Sequence, residues 1–570
     1  MSEQHTQAPL LELIHRSQCL EYNTISCSGA KISDELSQEI EKWNLYPILI
    51  NAPTGSGKSS FVFTELAKYA AQTGQYVLVL SNRLALNLQQ KSYLCKLYDL
   101  PNYGSKALAD VKYFRNIILL TYQSILHELM NGSFSALRIK YIVFDEAHFF
   151  CSDAIFNPWT ESILVSLQRC FPTATRIYMS ATPENAKPII SAFEKYALDL
   201  LEQESTTNPN TQYANHLKVA LLLSQPKVFT EYKFQTNFQN ISLAFFYEWD
   251  YVLDRIKESS KLSEASPKQD KWLIFISEKD VGRQLKRDLG SNIADYIDAN
   301  SPSNYIAELS RRQLFDKKVL ISTSVIDNGI SIQDGNLKNI VIDTIDRIQL
   351  IQMLGRKRID SNEEITLYVK LPSSVKAIQN YRQVAENLYS TIASYERNPT
   401  HFMYSNWGSL TTGQQNLFAP HIKDQGLFLG ANTFAKYQLA VKCHEFEQLE
   451  DQLKMDEFAF AKQVCSWLQK DFSTDMVLEN TPTTEIREQL ISILNTQLGI
   501  PIPAEGEIKE LANELKNKLP LNEIKKFKFK NDNANRGAED IRKILKEYDL
   551  PFILSTKKNG HYHLQPKGEA

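Results

Sequence analysis

Short apolar runs alternate with helix-length segments over the first two hundred residues of the chain. Aliphatic and β-branched side chains are concentrated in five runs, which predict buried strands at residues 46–50, 76–80, 116–120, 141–144 and 175–179. The segments between them, such as Leu84 to Tyr98 and Asn157 to Cys170, are long enough for helices. Strands that alternate with helices predict βαβ units and a parallel sheet covered on both faces.

A second set of the same kind follows a polar break at residues 204–210. Its apolar runs predict strands at residues 272–276, 318–322, 340–343 and 365–369. Residues 259–271 are rich in Ser, Lys, Glu and Asp, which indicates a solvated loop or linker. We therefore predict two α/β domains in tandem and no short-period repeat of the solenoid type.

The pattern changes to long helical segments beyond about residue 390, for example at residues 432–453 and 457–468. The last stretch, residues 515–570, is basic, with 13 Lys and Arg against 7 Asp and Glu. It ends in a predicted helix at residues 537–548 and two β-prone runs around Asn559-Gly560, a pair that favours a hairpin. This arrangement is compatible with a winged-helix-like nucleic-acid module or with a solvated C-terminal cap.

These changes in pattern divide the chain into five segments and predict an α/β fold followed by a mainly helical C-terminal region. We expect an N-terminal helical segment at residues 1–45 and two α/β domains at residues 46–225 and 226–390. A helical accessory domain at residues 391–510 and a basic C-terminal module at residues 511–570 should follow.

Composition narrows the class of protein without identifying it. The chain has 570 residues, 43% hydrophobic and 23% charged, which is typical of a soluble globular protein with several domains. No apolar run approaches the ~20 residues that a membrane helix needs, and the N-terminus lacks the pattern of a secretory signal. We therefore expect a cytoplasmic protein. Seven dispersed cysteines without a Cys-x-x-Cys pair favour reduced thiols over a disulfide framework or a zinc cluster.

The net charge of −3 is close to neutral. A nucleic-acid partner would therefore have to be met by local basic surface.

The clearest chemical signal lies between the first predicted strand and the helix after it, at Thr54, Gly55, Ser56, Gly57, Lys58, Ser59 and Ser60. Glycines allow the backbone N–H groups of such a loop to turn inward, and the helix N-terminus adds its positive dipole end. Lys58 can then reach the β- and γ-phosphates of a nucleotide, and the Ser59 hydroxyl can coordinate Mg²⁺. Ala52 stands where the general P-loop pattern begins with Gly.

Two carboxylates, Asp145 and Glu146, follow the fourth predicted strand. Alone, they are as compatible with a solvated acidic turn as with a catalytic pair. After an apolar strand and downstream of a P-loop, they favour an ATPase, in which Asp145 holds Mg²⁺ and Glu146 orients and deprotonates the attacking water.

Two further motifs are weak when taken alone. Ser180-Ala-Thr182 follows the fifth strand, where small hydroxyl residues often cap a helix. Gln352-Met-Leu-Gly-Arg-Lys-Arg358 lies late in the second α/β domain. Its arginines are either an ordinary basic helix surface or groups that stabilise charge on a γ-phosphate when the domains close.

The order of these motifs resembles a superfamily 2 helicase or translocase of the DEAH type, over about residues 25–390. The resemblance implies two RecA-like domains that bind ATP and Mg²⁺ between them. It implies that His148, Ser180 and Thr182 couple hydrolysis to strand movement, and that Gln352, Arg356 and Arg358 serve the γ-phosphate. It also assigns nucleotide contacts to Asp327 and Gly329, and nucleic-acid contacts to Arg83, Thr121, Gln123, Ser277 and Thr323.

The spacing of the two arginines departs from many relatives. Arg358 lies two positions after Arg356, a Gly-Arg-x-Arg form that resembles the herpesvirus origin-binding helicase type. It leaves open which arginine meets the phosphate. An adenine-reading glutamine is also not evident. Gln38, which lies 20 residues before Lys58, is a candidate, but its position favours an ordinary helix-surface glutamine.

The function expected from the sequence is a nucleic-acid-dependent ATPase that unwinds or translocates, with DNA favoured over RNA. An RNA helicase with the same core and an ATP-gated binding or sensor module without unwinding are the alternatives. No membrane partner is expected.

Overall fold

The computed structural model describes residues 20–567 except 30, 44, 83, 102–104, 135–136, 208–227, 263–269, 324–329, 359–362, 424–425, 479–482, 505, 520–535, 549 and 559. The chain divides into two compact units. The first comprises residues 1–242, 270–367 and 372–472, and the second comprises residues 243–269, 368–371 and 473–570.

The first sheet has eight strands in the order β1-β8-β2-β7-β6-β3-β5-β4. All neighbours are parallel except β4 and β5. The strands are β1 (Glu21–Cys27), β2 (Ile48–Asn51), β3 (Tyr76–Ser81), β4 (Tyr113–Phe114), β5 (Ile117–Thr121), β6 (Ile139–Phe144), β7 (Thr175–Ser180) and β8 (Val228–Phe234).

Helices connect these strands and cover both faces of the sheet, which explains why the central strands are almost continuously apolar. They are α1 (Ile32–Leu36), α2 (Lys58–Phe61), α3 (Ala67–Gln72), α4 (Leu84–Leu97), α5 (Ser105–Asp110), α6 (Tyr122–Met130), α7 (Phe149–Ser152), α8 (Thr160–Cys170) and α9 (Lys187–Thr207). A π-helical turn, Val62–Leu66, joins α2 to α3.

The second α/β domain contributes four strands and the first three residues of a fifth, β14, to the first unit, in the order β11-β12-β10-β13-β14. The pairs β11–β12, β12–β10 and β10–β13 are parallel. These strands are β10 (Lys271–Phe275), β11 (Ala294–Ile297), β12 (Val319–Ser322), β13 (Leu337–Ile342) and β14 (Ile365–Lys370), with helices α11 (Lys279–Leu289), α12 (Ser303–Arg312) and α13 (Arg347–Leu354). The predicted fold class is confirmed: two tandem RecA-like domains built on parallel sheets.

Residues 375–472 form a helical layer with one hairpin. The elements are α14 (Val375–Arg397), α15 (Pro399–Ser405), α16 (Thr412–Gln415), β15 (Phe418–Lys423), β16 (Gly426–Ala431), α17 (Thr433–Met455) and α18 (Ala459–Trp467). This layer shares an apolar core with the first sheet, through residues such as Ile392 and Phe434. The Asn432 amide donates to the Ala154 carbonyl at 2.9 Å.

The second unit contains β9 (Ile241–Phe246) from Leu243 onwards, α10 (Trp249–Leu262) and β17 (Val477–Leu478), which pairs in parallel with β9. Its C-terminal part consists of α19 (Thr483–Asn495), β18 (Ile502–Pro503), α20 (Glu507–Lys516), α21 (Arg536–Glu547), β19 (Phe552–Leu554), β20 (His561–Tyr562) and β21 (Leu564–Pro566). The predicted terminal hairpin is present, because β19 pairs with β21 in antiparallel register.

The predicted N-terminal helical segment is wrong over β1. β1 lies along β8, and six of its seven side chains are exposed or half-buried, so that it buries no continuous apolar face. Backbone hydrogen bonds to β8 hold it in the sheet, and a hydrophobic pattern does not reveal such bonds.

Three predicted boundaries also differ from the structure. β8 follows residue 225 yet belongs to the first sheet. The helical region expected at 391–510 begins earlier, with α14, and is divided between the two units at residue 472. The boundary at 510 falls inside α20. β8 and α14 both pack into the core of the first sheet, and local composition does not report such long-range packing.

Among the described helices, none is both long enough and apolar enough to cross a membrane.

Candidate functional site between the two RecA-like domains

A tight loop joins β2 to α2. β2 is buried at all four positions, between β7 and β8, so the start of the loop is fixed. Gly55 and Gly57 have φ angles of +86° and +88°, which residues with a side chain rarely adopt. α2 begins at Lys58, directly after Gly57, so its free N–H groups and positive dipole end point toward the loop. The backbone therefore forms a cradle suited to phosphate.

The remaining predicted phosphate residues surround this cradle. Ser56 is buried, and its hydroxyl donates to the Pro53 carbonyl at 2.7 Å. Thr54, Ser59 and Ser60 are half-buried around it.

The Lys58 side chain is folded back into the cradle. It is 8% exposed, and its Nζ donates to the carbonyls of Ala52 at 2.9 Å and Pro53 at 3.0 Å. Burial lowers the pKa of Lys58, while the nearby carboxylates of Glu146 and Asp145 oppose that shift. A phosphate entering the cradle would offer this ammonium stronger acceptors than the two carbonyls.

Asp145 follows β6 and is 3% exposed. One carboxylate oxygen accepts from the Gln90 amide at 2.6 Å, and the other accepts from the Glu146 N–H at 3.1 Å. Burial, and then the charge of Glu146, raise the pKa of Asp145 to about 7. A buried carboxylate that ionises with such difficulty would be stabilised by a cation beside it.

Glu146 has a φ angle of +53°, which is strained for a residue with a side chain. Burial alone would raise its pKa, but the neighbouring His148, Lys58 and Arg356 outweigh burial and lower the pKa of Glu146. The two adjacent carboxyls therefore differ, since Glu146 favours its ionised form and Asp145 resists ionisation. Environments that push two carboxyl pKa values apart are typical of acid–base sites.

His148 connects the two domains. Its Nε2 lies within hydrogen-bond distance of the Gln352 amide nitrogen, and its Nδ1 lies 3.1 Å from the Ser180 hydroxyl and 3.4 Å from a Glu146 oxygen. Since the amide donates, Nε2 accepts and the ring hydrogen is assigned to Nδ1. Burial lowers the pKa of His148, while the neighbouring Glu146 carboxylate opposes that shift. Ser180 accepts in turn from the Thr182 N–H at 3.0 Å.

Two further contacts hold the second domain against the first. A Cβ atom at Gly355 would lie 2.8 Å from the Thr54 hydroxyl, so the backbone before Arg356 touches the phosphate loop. At the edge of the cleft, Arg347 forms an ion pair with Glu184 at 3.2 Å. The motif that contains the arginines therefore faces the cradle.

The two candidate arginines occupy different environments. Arg356 is 4% exposed, and its Nε donates to the Gln352 carbonyl at 3.0 Å. It lies close enough to Lys58, Glu146 and His148 to influence the pKa of each. Arg358 is exposed. Of the two, Arg356 is the one whose charge is in the cleft.

The other predicted contact residues are spread over both domains. Thr121 caps the N-terminus of α6, and Gln123, exposed in its first turn, donates to Asn157 at 3.3 Å. Ser277 is exposed after β10, and Thr323 is buried after β12. Arg83, Asp327 and Gly329 lie outside the described residues.

The sequence did not single out Gln90, Tyr122 or the pair of Glu184 and Arg347. Gln90 lies on α4 and reaches Asp145 across 55 positions of the sequence, and the Tyr122 hydroxyl donates to the Asp145 carbonyl at 3.1 Å. No local pattern marks such long-range partners. For Glu184, its position just after Ser180-Ala-Thr182 was a signal in the sequence that could have placed it near the site.

Residues 29–185 match the family model described as "Type III restriction enzyme, res subunit". This range contains the cradle and both carboxylates. The match supports a helicase-superfamily core and an ATPase. No curated protein matches significantly.

Several solved structures are similar to this chain. Mss116p bound to ssRNA and AMP-PNP is 14% identical, with a TM-score of 0.42, over 70% of this chain and 85% of that one. Dbp5 of S. cerevisiae bound to RNA and ADP BeF3 is 14% identical, with a TM-score of 0.41, over 65% and 90%. Helicase Lhr of Mycobacterium smegmatis bound to ssDNA and AMP-PNP is 16% identical, with a TM-score of 0.40, over 63% and 48%.

Proposed function

We propose that this protein is an ATP-dependent helicase or translocase that moves along a single nucleic-acid strand, with DNA favoured over RNA. The observation that carries the proposal is the cleft itself, in which Arg356 of one RecA-like domain lies beside Lys58 and Glu146 of the other. A protein that merely binds nucleotide needs the cradle but has no need of a buried arginine from a second domain.

ATP would bind with its phosphates in the cradle. The N–H groups of residues 54–60 and the Lys58 ammonium would hold the β- and γ-phosphates. In the proposed role, Asp327 and Gly329 of the second domain complete the nucleotide contacts.

Ser59 and Asp145 would hold Mg²⁺. Their hydroxyl and carboxylate oxygens are the ligand types that this ion prefers, and the raised pKa of Asp145 fits a site that gains a cation. When bound, the ion would neutralise charge on the β- and γ-phosphates.

Glu146 would act as the general base. Its lowered pKa keeps the carboxylate ionised, so that it can orient a water molecule and accept its proton. Arg356 would stabilise the negative charge that develops on the transferred phosphoryl group. Gln352 would report the state of that group to His148, Ser180 and Thr182 through the hydrogen bonds between them.

Movement would follow from the loss of the γ-phosphate. A triphosphate contacted by both domains favours the closed cleft, and hydrolysis removes the bridging group. A strand held by Arg83, Thr121, Gln123, Ser277 and Thr323 would then be gripped alternately by the two domains.

The test measures ATP hydrolysis by the full chain with single-stranded and blunt double-stranded DNA and RNA, followed by displacement of a strand from a tailed duplex. We expect single-stranded DNA to stimulate hydrolysis most and strand displacement to require ATP. Lys58→Ala is the control for contaminating ATPases. Greater stimulation by RNA would favour an RNA helicase, and stimulation without displacement would favour an ATP-gated binding module. Hydrolysis that no nucleic acid changes would overturn the proposal.

A further inference from the structure

The C-terminal part of the second unit has an apolar core of its own. Side chains from α19, α20, α21 and the three following strands form it, including Leu490, Ile508, Ile541 and Leu564. Among the described residues, the elements follow the order helix, strand, helix, helix and then three strands. β18 pairs with β20 and β19 pairs with β21, both in antiparallel register. Because β20 and β21 follow each other directly in the chain, they lie between β18 and β19. This is the arrangement of a winged helix.

One face of α21 is buried and the other carries positive charge. Ala538, Ile541 and Leu545 face the core. Gly537 lets α21 approach α20 closely, because a Cβ there would lie 2.9 Å from the Ile508 carbonyl. Among the side chains described on α21, Arg542, Lys543 and Lys546 are exposed basic residues, and Glu539 is an exposed acidic residue.

The turn between β19 and β20 carries two more exposed lysines, Lys557 and Lys558. It is a tight turn, because the backbones of Lys558 and His561 exchange hydrogen bonds of 2.9 and 3.0 Å. A φ angle of +82° at Gly560 permits the reversal. The lysines are therefore held at the tip of the hairpin.

Arg542 fixes this hairpin relative to α21. Its guanidinium donates to the Ser555 carbonyl at 2.7 Å and lies 5.9 Å from the centre of the Tyr562 ring. The basic residues of the helix and of the hairpin thus belong to one rigid surface. We define the basic wing surface as Arg542, Lys543, Lys546, Lys557 and Lys558.

We propose that the basic wing surface binds double-stranded DNA, with α21 in the major groove and the hairpin lysines on the adjacent phosphates. A helix of 12 residues is about 18 Å long and fits the wide major groove of B-form DNA. The deep, narrow major groove of A-form RNA excludes a helix. The lysines would make the binding depend on phosphate contacts and on salt. This inference goes beyond the ATPase cleft and does not require it.

The experiment uses the full chain without nucleotide and measures its affinity for a blunt DNA duplex, the matching single strand and the matching RNA duplex. Each duplex has about 20 base pairs, which corresponds to about two helical turns. The test variants are Lys557→Gln/Lys558→Gln and Lys543→Gln/Lys546→Gln. The matched control is Lys509→Gln/Lys518→Gln, which removes two exposed lysines from α20 and the residues just after it. Thermal unfolding checks that each variant is folded.

Both test variants should bind duplex DNA at least tenfold more weakly than the wild type, while the control binds as the wild type does. The loss of two phosphate contacts should also reduce the slope of log affinity against log salt by about 1.8. ATP hydrolysis without nucleic acid should stay unchanged in all of them. This readout separates a failure of this proposal from a failure of the ATPase proposal.

Equal affinity of wild type and test variants for duplex DNA would overturn the inference. So would an equal loss of affinity for duplex RNA, or a loss confined to the single strand. If one pair of substitutions unfolds the protein, the other pair decides the outcome.

Discussion

Asp145 and Glu146 are neighbours in the sequence, but their surroundings favour opposite states. Asp145 is enclosed beside Gln90, and its pKa rises to about 7, whereas His148, Lys58 and Arg356 lower the pKa of Glu146. The nucleotide-free protein therefore stores unfavourable electrostatic free energy at Asp145. In the proposed role, a bound cation releases that energy.

The first prediction concerns Glu146→Gln. The amide cannot accept a proton from water, so turnover should fall by about 10²–10⁴-fold, the contribution of a general base. Nucleotide affinity should stay near that of the wild type, because the cradle is unchanged. Steady-state hydrolysis and binding of a fluorescent nucleotide measure the two quantities. An undiminished rate would remove Glu146 from this role.

The second prediction concerns the stability of the protein without nucleotide or metal. Because the folded-state pKa of Asp145 lies well above the ordinary value of 3.8, the folded protein binds a proton more tightly than the unfolded chain. The free energy of unfolding contributed by this group therefore falls as the pH rises from about 4 to about 7.

Asp145→Asn removes that dependence. Its thermal midpoint should exceed that of the wild type at pH 8, and the difference should shrink as the pH falls toward 4. Thermal unfolding in the presence of a chelator at several pH values measures it. A variant less stable than the wild type at pH 8 would contradict the account.

At the residue scale, the sequence identifies the candidate site residues better than it predicts their conformations and contacts. The loop from Thr54 to Ser60 and the pair Asp145-Glu146 could be identified because strand, glycine and carboxylate spacings are local. The left-handed backbone of Glu146 and the contact of Gln90 with Asp145 could not, since both depend on residues distant in the sequence.

At the scale of the elements, strand β7, which ends at Ser180, contains a charged residue buried in the core. Arg176 and Glu194 are 1% and 0% exposed, and the Arg176 Nε donates to both carboxylate oxygens at 2.7 and 2.8 Å. The Tyr178 hydroxyl donates to the same carboxylate. This buried network joins β7 to α9 behind the Ser180-Ala-Thr182 motif.

The third prediction follows from that network. Glu194→Ala leaves the Arg176 guanidinium buried without its carboxylate, which should lower the free energy of unfolding by about 3–5 kcal/mol. Urea denaturation measures it. The double variant Arg176→Met/Glu194→Leu keeps the volume and removes both charges, so it should be far more stable than Glu194→Ala. Equal loss in both variants would show that packing, and not the uncompensated charge, is responsible.

Element prediction succeeded where an apolar run is buried on both sides and failed where backbone pairing decides. The buried runs of β2, β3, β6 and β7 were evident from the sequence. β1 was not, because its side chains are largely exposed and its pairing with β8 spans about two hundred positions of the sequence.

At the scale of the whole molecule, three pairs of described residues join motifs of the two RecA-like domains within the first unit. These are the pairs His148 with Gln352, Thr54 with Gly355, and Glu184 with Arg347. Each joins a motif of one domain to the helix or turn that precedes Arg356. The family resemblance of the sequence leads us to expect that these motifs meet. The sequence does not decide which arginine enters the cleft. Arg356 is buried beside Glu146 and Arg358 is exposed, which supports Arg356 as the arginine that meets the γ-phosphate.

The most direct test of a shared catalytic cleft is the rate of γ-phosphate release in a single turnover, at saturating ATP and single-stranded DNA, for Arg356→Ala and Arg358→Ala. We predict that Arg356→Ala slows release by about 10³–10⁵-fold, the usual contribution of an arginine finger, while ATP still binds and Arg358→Ala stays close to the wild type. Normal release by Arg356→Ala would contradict the account, whether or not Arg358→Ala is impaired.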